Sequence, residues 1–357
     1  MKKKLEIDIY SDVDYEGYLH ANQMIFNTLN DDKDIKVVFY HRFLMNGLKM
    51  KYILNIYKKL FSRISIDKLP RDKSSNIVKV FNLPSSNFIF DFFNEYFLYR
   101  KIKKNVSNDI CITFLPSLSL KEVFNKYDTI IYYCVHDSDN QSYALRNKEY
   151  EKKLIEKSKI ILCDNLDVLK RISNDSIVCD IFSENKSKYI YIPPPVPSAF
   201  FEYKIIEDNR KKYDFVYFGS IHENIDVTLI KNLAHKYKII LISYEKLNIV
   251  HDNIIEIDGT NDMVSLVKNI HKAKGILFPY SNSKFMDTIS PAKLNQSLAT
   301  GLPIYCSNKK ITKQYELNYI DSDFSENIKP CSNSDSMRIY SEKNIYEKVK
   351  NLMLECL

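Results

Sequence analysis

Short β-branched runs alternate with longer amphipathic segments through most of the chain, and this alternation constrains the fold more than any other feature. LEIDIY (5–10), IKVVFY (35–40), DICITFL (109–115), TIIYYCV (129–135) and KIILC (159–163) have the length and composition of buried strands. Helical patterns over 17–30 and 148–157 lie between some of them. Strands separated by helices need crossover connections, so the expected architecture is α/β, with a parallel sheet covered on both faces. YIPPPVPSAFFEYKIIEDNRKKYD (191–214) then holds four of the eleven prolines, Pro193, Pro194, Pro195 and Pro197. Neither a helix nor a central strand tolerates that density. The alternation restarts beyond it: strands at 214–218, 238–243, 254–258, 275–280 and 303–307, helices at 225–237, 261–273 and 291–300. The expected domains are therefore 1–197 and 198–340. A last amphipathic helix in 341–357, with Ile345, Val349, Leu352 and Met353 on one face, packs back on the first.

A chain of 357 residues suits two domains of ordinary size. Seven scattered cysteines, with no CxxC among them, exclude a disulfide framework or a zinc site and read as reduced, buried thiols. Only six glycines occur, so there is neither a GxGxxG fingerprint nor a Walker A loop. That argues against NAD-linked enzymes and P-loop nucleotidases. The net charge of +7 permits attraction to phosphates or anionic lipid without requiring either. No nucleic-acid-binding signature is present, so no nucleic-acid partner is expected. The apolar runs are too short to span a bilayer. Acidic residues break MKKKLEIDIY before it can serve as a signal peptide, so it reads as a first strand of a cytoplasmic protein.

In so glycine-poor a chain, each glycine marks a backbone requirement. Gly219 ends the strand DFVYF in FGSIHEN, where the backbone can approach a ligand and open N–H groups can meet a phosphate. Further on, SPAKLNQSLATGLPIYCS (290–307) reads as a helix capped by Ser290, with Pro291 first, Lys293 third and Gly301 as the stop. A cation in a first turn opposes the helix dipole, unless an anion occupies the helix start. Lys293, Gln296 and Ser297 would share one face, Leu294 and Leu298 another. Gln296 would reach a sugar hydroxyl beyond the phosphate. Tyr280, Ser281 and Ser283 follow the strand GILFPY and belong near the same sheet edge.

These two stretches, DFVYFGSIHENIDVTLIKNLAHKYKIILIS and GILFPYSNSKFMDTISPAKLNQSLATGLPIYCS, resemble the donor domain of GT-B glycosyltransferases. They are most similar to family 4-like enzymes and to xanthan-type glucuronosyltransferases. The resemblance covers most of 130–310, and residues 1–128 match only as a generic α/β domain. It implies two Rossmann-like domains facing across a cleft. Gly219 and Ser220 would face the donor diphosphate, Lys293 would bind phosphate, and Gln296 would stand where relatives carry a ribose-binding glutamate. Retaining relatives have two glutamates eight apart; here those positions are Thr288 and Gln296, which favours an inverting mechanism.

An inverting transfer needs a general base for the acceptor hydroxyl. IIYYCVHDSDN (130–140) is a strand running into a polar turn, and it offers Asp137 first, then His136, with Asp139 nearby. Asp12 and Asp14 form a DxD, but it opens the chain ahead of any completed nucleotide-binding half. That loop reads as acceptor-side, with Glu16 and His20 as contacts, and no metal is expected. Lys293, helix N–H groups and Gly219 would instead stabilise the leaving diphosphate. GLKMKYILNIYKKLFSRIS (47–65) combines apolar residues at helical spacing with Lys51, Lys58, Lys59 and Arg63, as helices lying on anionic membranes do.

The reading is a hexosyl- or glucuronosyltransferase, peripheral to the inner face of the cell membrane. It would move sugar from a nucleotide-sugar donor, UDP-linked, to a bacterial surface glycan or lipid-linked oligosaccharide. No separate cofactor is expected. The rivals are a nucleotide-sugar epimerase on the same fold and a non-catalytic sugar- or nucleotide-binding protein.

Overall fold

The computed structural model describes residues 4–15, 21–41, 76–80, 83, 88–103, 110–135, 138, 145–202, 211–283, 293–326 and 335–355. The chain divides into two compact units: residues 1–193 with 346–357, and residues 194–345.

In the first unit the order is β1 (Leu5–Tyr10), α1 (Ala21–Asn30), β2 (Ile35–His41), β3 (Ile77–Lys79), α2 (Phe88–Lys103), β4 (Ile110–Thr113), α3 (Lys121–Phe124), β5 (Thr129–Cys134), α4 (Leu145–Lys157), β6 (Ile160–Cys163), α5 (Leu166–Ser173), β7 (Val178–Asp180) and β8 (Tyr189–Tyr191). The strands form one sheet in the order β3-β2-β1-β4-β5-β6-β8-β7. Its pairs are parallel, with Ile9 opposite both Phe39 and Ile112. Strands β4, β5 and β6 are buried along their whole length, as expected where helices cover both faces. Tyr10, Cys111, Phe124, Tyr132 and Ile161 belong to the core. The buried Asp8 carboxylate accepts from the Tyr127 hydroxyl at 2.5 Å, and Tyr127 and Tyr10 share a hydrogen bond of 2.7 Å. These bonds supply polar partners to an acid within an apolar sheet.

The second unit contains α6 (Ala199–Glu202), β9 (Tyr213–Phe218), α7 (Val227–Ala234), β10 (Ile239–Ser243), β11 (Ile254–Asp258), α8 (Met263–Ile270), β12 (Ala273–Phe278), α9 (Leu294–Ala299), β13 (Ile304–Cys306), α10 (Lys309–Gln314) and β14 (Asn318–Tyr319). Its parallel sheet has the order β11-β10-β9-β12-β13-β14. A separate core includes Phe215, Ile230, Ile242, Ile276 and Tyr305. The final helix, α11 (Glu342–Leu354), begins in the second unit and ends in the first.

Both α/β halves of the sequence reading are present, each as a doubly wound parallel sheet. The reading missed α2, α3, α5, α6 and α10 and the short strands β3, β7, β8 and β14; α6 forms within 191–214, where no helix was expected, because it starts only after the last proline, Pro197. In α2, FIFDFFNEYFLYRKIK, apolar residues recur too densely for a single helical stripe to stand out. Cys111, Cys134, Cys163, Cys179 and Cys306 are buried free thiols; Cys331 and Cys356 lie outside the described residues. Among the described residues no helix is long and apolar enough to cross a membrane.

Candidate functional site

In the second sheet, β9, β10 and β11 proceed outward in one direction, and β12, β13 and β14 in the other. The carboxyl ends of β9 and β12 therefore flank a topological switch point, where the departing loops leave a crevice open to ligands. Gly219 follows β9 with φ +140°, a conformation that a side chain disfavours. A Cβ built there would collide with the Lys293 Nζ and lie 3.0 Å from its Cε. The Lys293 ammonium donates to the Phe218 carbonyl at 3.2 Å, across 75 positions of sequence, and sits 5.6 Å from the centre of the Phe218 ring. Burial pulls the Lys293 pKa down to about 8, and the Glu245 carboxylate opposes that shift. Glu245 itself accepts from the Ile221 N–H at 3.4 Å and the Ser243 hydroxyl at 3.1 Å, bonds that hold its carboxyl below the usual range. The turn 219–221 is thus flanked by a cation and an anion.

The amides of this turn differ from the sequence expectation. The Gly219 N–H is taken up by the Ile242 carbonyl at 2.9 Å, because the pairing of β9 with β10 continues one residue beyond Phe218. The Ile221 N–H is on Glu245, which leaves Ser220 N–H without an acceptor among the described residues. Ser220 is exposed, and its carbonyl accepts from the Tyr217 hydroxyl at 2.5 Å.

The loop after β12 is braced to the loop after β9. Asp226 N–H donates to the Pro279 carbonyl at 2.7 Å, Ser281 N–H to the Asn224 carbonyl at 2.9 Å, and the Ser283 hydroxyl to Asn224 Oδ1 at 3.2 Å. Behind them, Ser307 Oγ donates to the Tyr280 carbonyl and Asn308 Nδ2 to the Ser281 carbonyl. The Tyr280 ring is buried and stacks on His222, with centroids 6.5 Å apart. Its surroundings make it a support for the loop. His222 is exposed above the same edge and was not singled out from sequence, where a lone histidine in a polar turn carries no signal.

Lys293 is not the third helical residue. It stands at the cap of α9 with φ −96° and ψ 1°, and the helix starts at Leu294. As the cap residue it still stands at the amino end of the helix, where a cation is mildly disfavoured, and its side chain is engaged at the end of β9. Ser297 is fully buried together with Leu294, so it does not share an open face with Lys293. Gln296 is half-buried, and its side chain has no hydrogen-bond partner among the described residues. Ser290, Pro291 and Thr288 lie outside the described residues.

In the first unit, His136, Asp137 and Asp139 lie outside the described residues, as do Glu16, His20 and the basic stretch 47–65. Beside that turn, the buried Glu151 of α4 accepts from the Tyr132 hydroxyl at 2.5 Å and from the Ser138 hydroxyl. Asp14 Oδ1 is 3.3 Å from Nδ1 of buried His41, a nitrogen that also accepts from the Tyr15 N–H at 3.3 Å. Asp164 follows β6, the neighbour of β5, and burial raises its carboxyl pKa to about 7. Sequence reasoning missed it because CDN reads as an ordinary loop before the Asn165 cap of α5. Among the described residues no three His, Cys, Asp or Glu side chains converge as a metal site needs.

No family model matches the chain, and no curated protein matches it in sequence. Solved structures do match in shape. A lipopolysaccharide outer core galactosyltransferase, WaaB in its apo form, superposes with TM-score 0.60 at 12% identity, over 99% of this chain and 100% of that one. Anabaena Alr3699/HepE, in complex with UDP, gives 0.58 at 8% identity, over 99% of this chain and 100% of that one. The fold is that of the GT-B glycosyltransferases. A glycosyltransferase from Rickettsia africae gives 0.52 at 10% identity, covering 98% of this chain and 94% of that one. At these identities the likeness concerns the GT-B fold alone.

Proposed function

We propose that the chain transfers a sugar from a nucleotide-sugar, UDP-linked, to a growing bacterial surface glycan, with inversion and without a bound metal. The observation that carries this reading is the Lys293 ammonium held against the Gly219 turn, at the switch point of the second sheet. Parallel α/β sheets place phosphate ligands at such a point. A cation on a half-buried stem suits a diphosphate that gains charge as its bond to sugar breaks. The neighbours support the same direction: WaaB is a lipopolysaccharide galactosyltransferase, and HepE was solved with UDP.

In this mechanism the acceptor hydroxyl oxygen attacks the anomeric carbon as the bond from that carbon to the diphosphate oxygen breaks. Asp137 takes the hydroxyl proton, with His136 as the second choice. Lys293 and the Ser220 N–H meet the departing diphosphate, and Gln296 holds a hydroxyl of the nucleotide. The enzyme would be of hexosyl- or glucuronosyltransferase type, cytoplasmic and peripheral to the inner face of the membrane.

Nucleotide binding and UDP release together test this. Slow UDP release that accelerates with a glycan acceptor supports transfer. Lys293→Ala is expected to weaken UDP-sugar binding at least tenfold, whereas Asp137→Asn spares binding and stops turnover; the reverse pattern refutes the assignment. Epimer formation without acceptor would make the chain an epimerase, and binding without turnover a binding protein.

A further inference from the structure

The edge of the first sheet carries a cavity that the transfer reading does not use. Its volume is about 750 Å³, and every residue around it belongs to the first unit. Pockets that take small ligands usually measure roughly 300–1,000 Å³. The floor is apolar. Cys179 of β7 stands opposite Ile190 of β8, and Ile190 stands opposite Leu162 of β6, so Ile160, two residues earlier, shares their face. Ile160, Cys179 and Ile190 are buried and line the cavity, and Phe182 joins them. The end of the chain supplies a wall. Lys348, Asn351 and Leu352 of α11, with Glu355 just after it, recur at helical spacing on the cavity side, while Val349 and Met353 are buried.

Around this floor the charges are mixed: Lys159, Lys186, Lys188 and Lys348 share the opening with Asp180, Glu184 and Glu355. Lys186 and Glu355 pair at 3.2 Å, but both are exposed and water screens them. The others do not neutralise one another. The Lys188 ammonium donates to the Glu156 carbonyl at 3.1 Å, and one Asp180 carboxylate oxygen accepts from the Phe182 N–H at 2.9 Å. Glu184, Lys348 and Asn351 make no side-chain hydrogen bond or ion pair among the described residues. Partial burial acts on both signs, lowering the Lys188 pKa and raising that of Asp180. An anion entering here meets Asp180 and Glu184, and a cation meets the lysines. A neutral molecule that both donates and accepts satisfies each of them, and a hydroxyl does so through one atom. A sugar adds the apolar C–H face that the floor fits. Lys159 and Lys188 lead into β6 and β8, so the cavity reaches the amino edge of the sheet, whereas α/β sheets gather their chemistry at the carboxyl edge.

We propose that this cavity binds a neutral oligosaccharide, with sugar rings on Ile160 and Ile190 and hydroxyls on Asp180, Glu184, Lys348 and Asn351. As a saccharide site it goes beyond the transfer reading and does not need it; as a hold on the growing glycan away from the reacting centre it rests on that reading. Its test measures binding without donor or turnover, so either can fail alone.

The full chain is applied to an array of short neutral glycans built from hexose and N-acetylhexosamine units, with heparin fragments as anionic controls. The best neutral ligand is then titrated by calorimetry without nucleotide-sugar. Wild type is expected to bind a neutral oligosaccharide in preference to heparin. Lys348→Ala with Asn351→Ala is expected to weaken that binding by about tenfold or more, as the loss of charge-assisted hydrogen bonds would. The double variant should keep the wild-type Tm, since both side chains are exposed. Lys293→Ala, in the second unit, is expected to leave the binding unchanged. A wild type that binds no neutral glycan overturns the proposal, and so does heparin binding ahead of every neutral glycan. A folded double variant that binds as wild type does overturns it as well, and loss of binding in Lys293→Ala alone would put the sugar at the candidate site instead.

Discussion

Lys293 shows how one side chain answers to its surroundings more than to its position in sequence. From the sequence it is a cation in a helical first turn; in the fold it caps α9 and lies against Phe218 and Gly219. Burial lowers its pKa to about 8, so its charge is present below that pH and lost above it. If that charge holds a diphosphate, UDP-sugar affinity falls as pH rises from 7 to 8.5, by about fourfold for a pKa near 8. Calorimetric titration at the two pH values measures this, and Lys293→Ala is expected to flatten the dependence. A wild-type profile as flat as the variant's would remove the diphosphate from Lys293. Gly219 was legible because glycine is rare in this chain, whereas Asp164 and His222 were not. Their significance comes from neighbours supplied by other segments.

The elements were legible where period and length agreed. LEIDIY and IIEID are strands at the stated residues, and most other strands differ only by a residue or two at their ends. Helix α2 was missed because its aromatics leave no polar stripe to mark a period. The caps matter at this scale as well. Asp226 accepts from the Leu229 N–H at 2.8 Å to start α7, while its own N–H binds the Pro279 carbonyl. It therefore starts a helix and ties the loop after β9 to the loop after β12. Asp226→Ala is expected to lower stability by about 1 kcal/mol in urea titration, and Asp226→Asn to recover most of it. Both variants matching wild type in midpoint would show that this cap contributes nothing.

Over the whole molecule, two sheets with long parallel runs and separate cores account for the regular alternation of the sequence. A donor that binds only the folded chain stabilises it by mass action, by about 2.7 kcal/mol at a hundredfold excess over its dissociation constant. For a unit of about 150 residues that corresponds to a rise in Tm of roughly 5–10 °C. A thermal-shift screen of UDP-, GDP- and ADP-sugars is expected to give a UDP-linked hit that disappears in Lys293→Ala. If no nucleotide-sugar shifts the wild type, the donor reading fails.

The sequence by itself determined the class of fold: β-branched runs separated by amphipathic segments close only as parallel sheets, and the prolines at 193–197 interrupt that pattern once. It also marked Gly219 and Lys293 as chemically out of place. The tertiary structure alone decided that these two residues meet, that Glu245 joins them, that Ser297 is buried, and that Phe88, Phe92 and Tyr96 of α2 are exposed. The physical reason is the range of the determining interactions. Backbone preference and periodicity are set within a few residues, whereas strand order and burial arise from segments tens of residues apart, and those interactions place Lys293 beside a strand end 75 positions away.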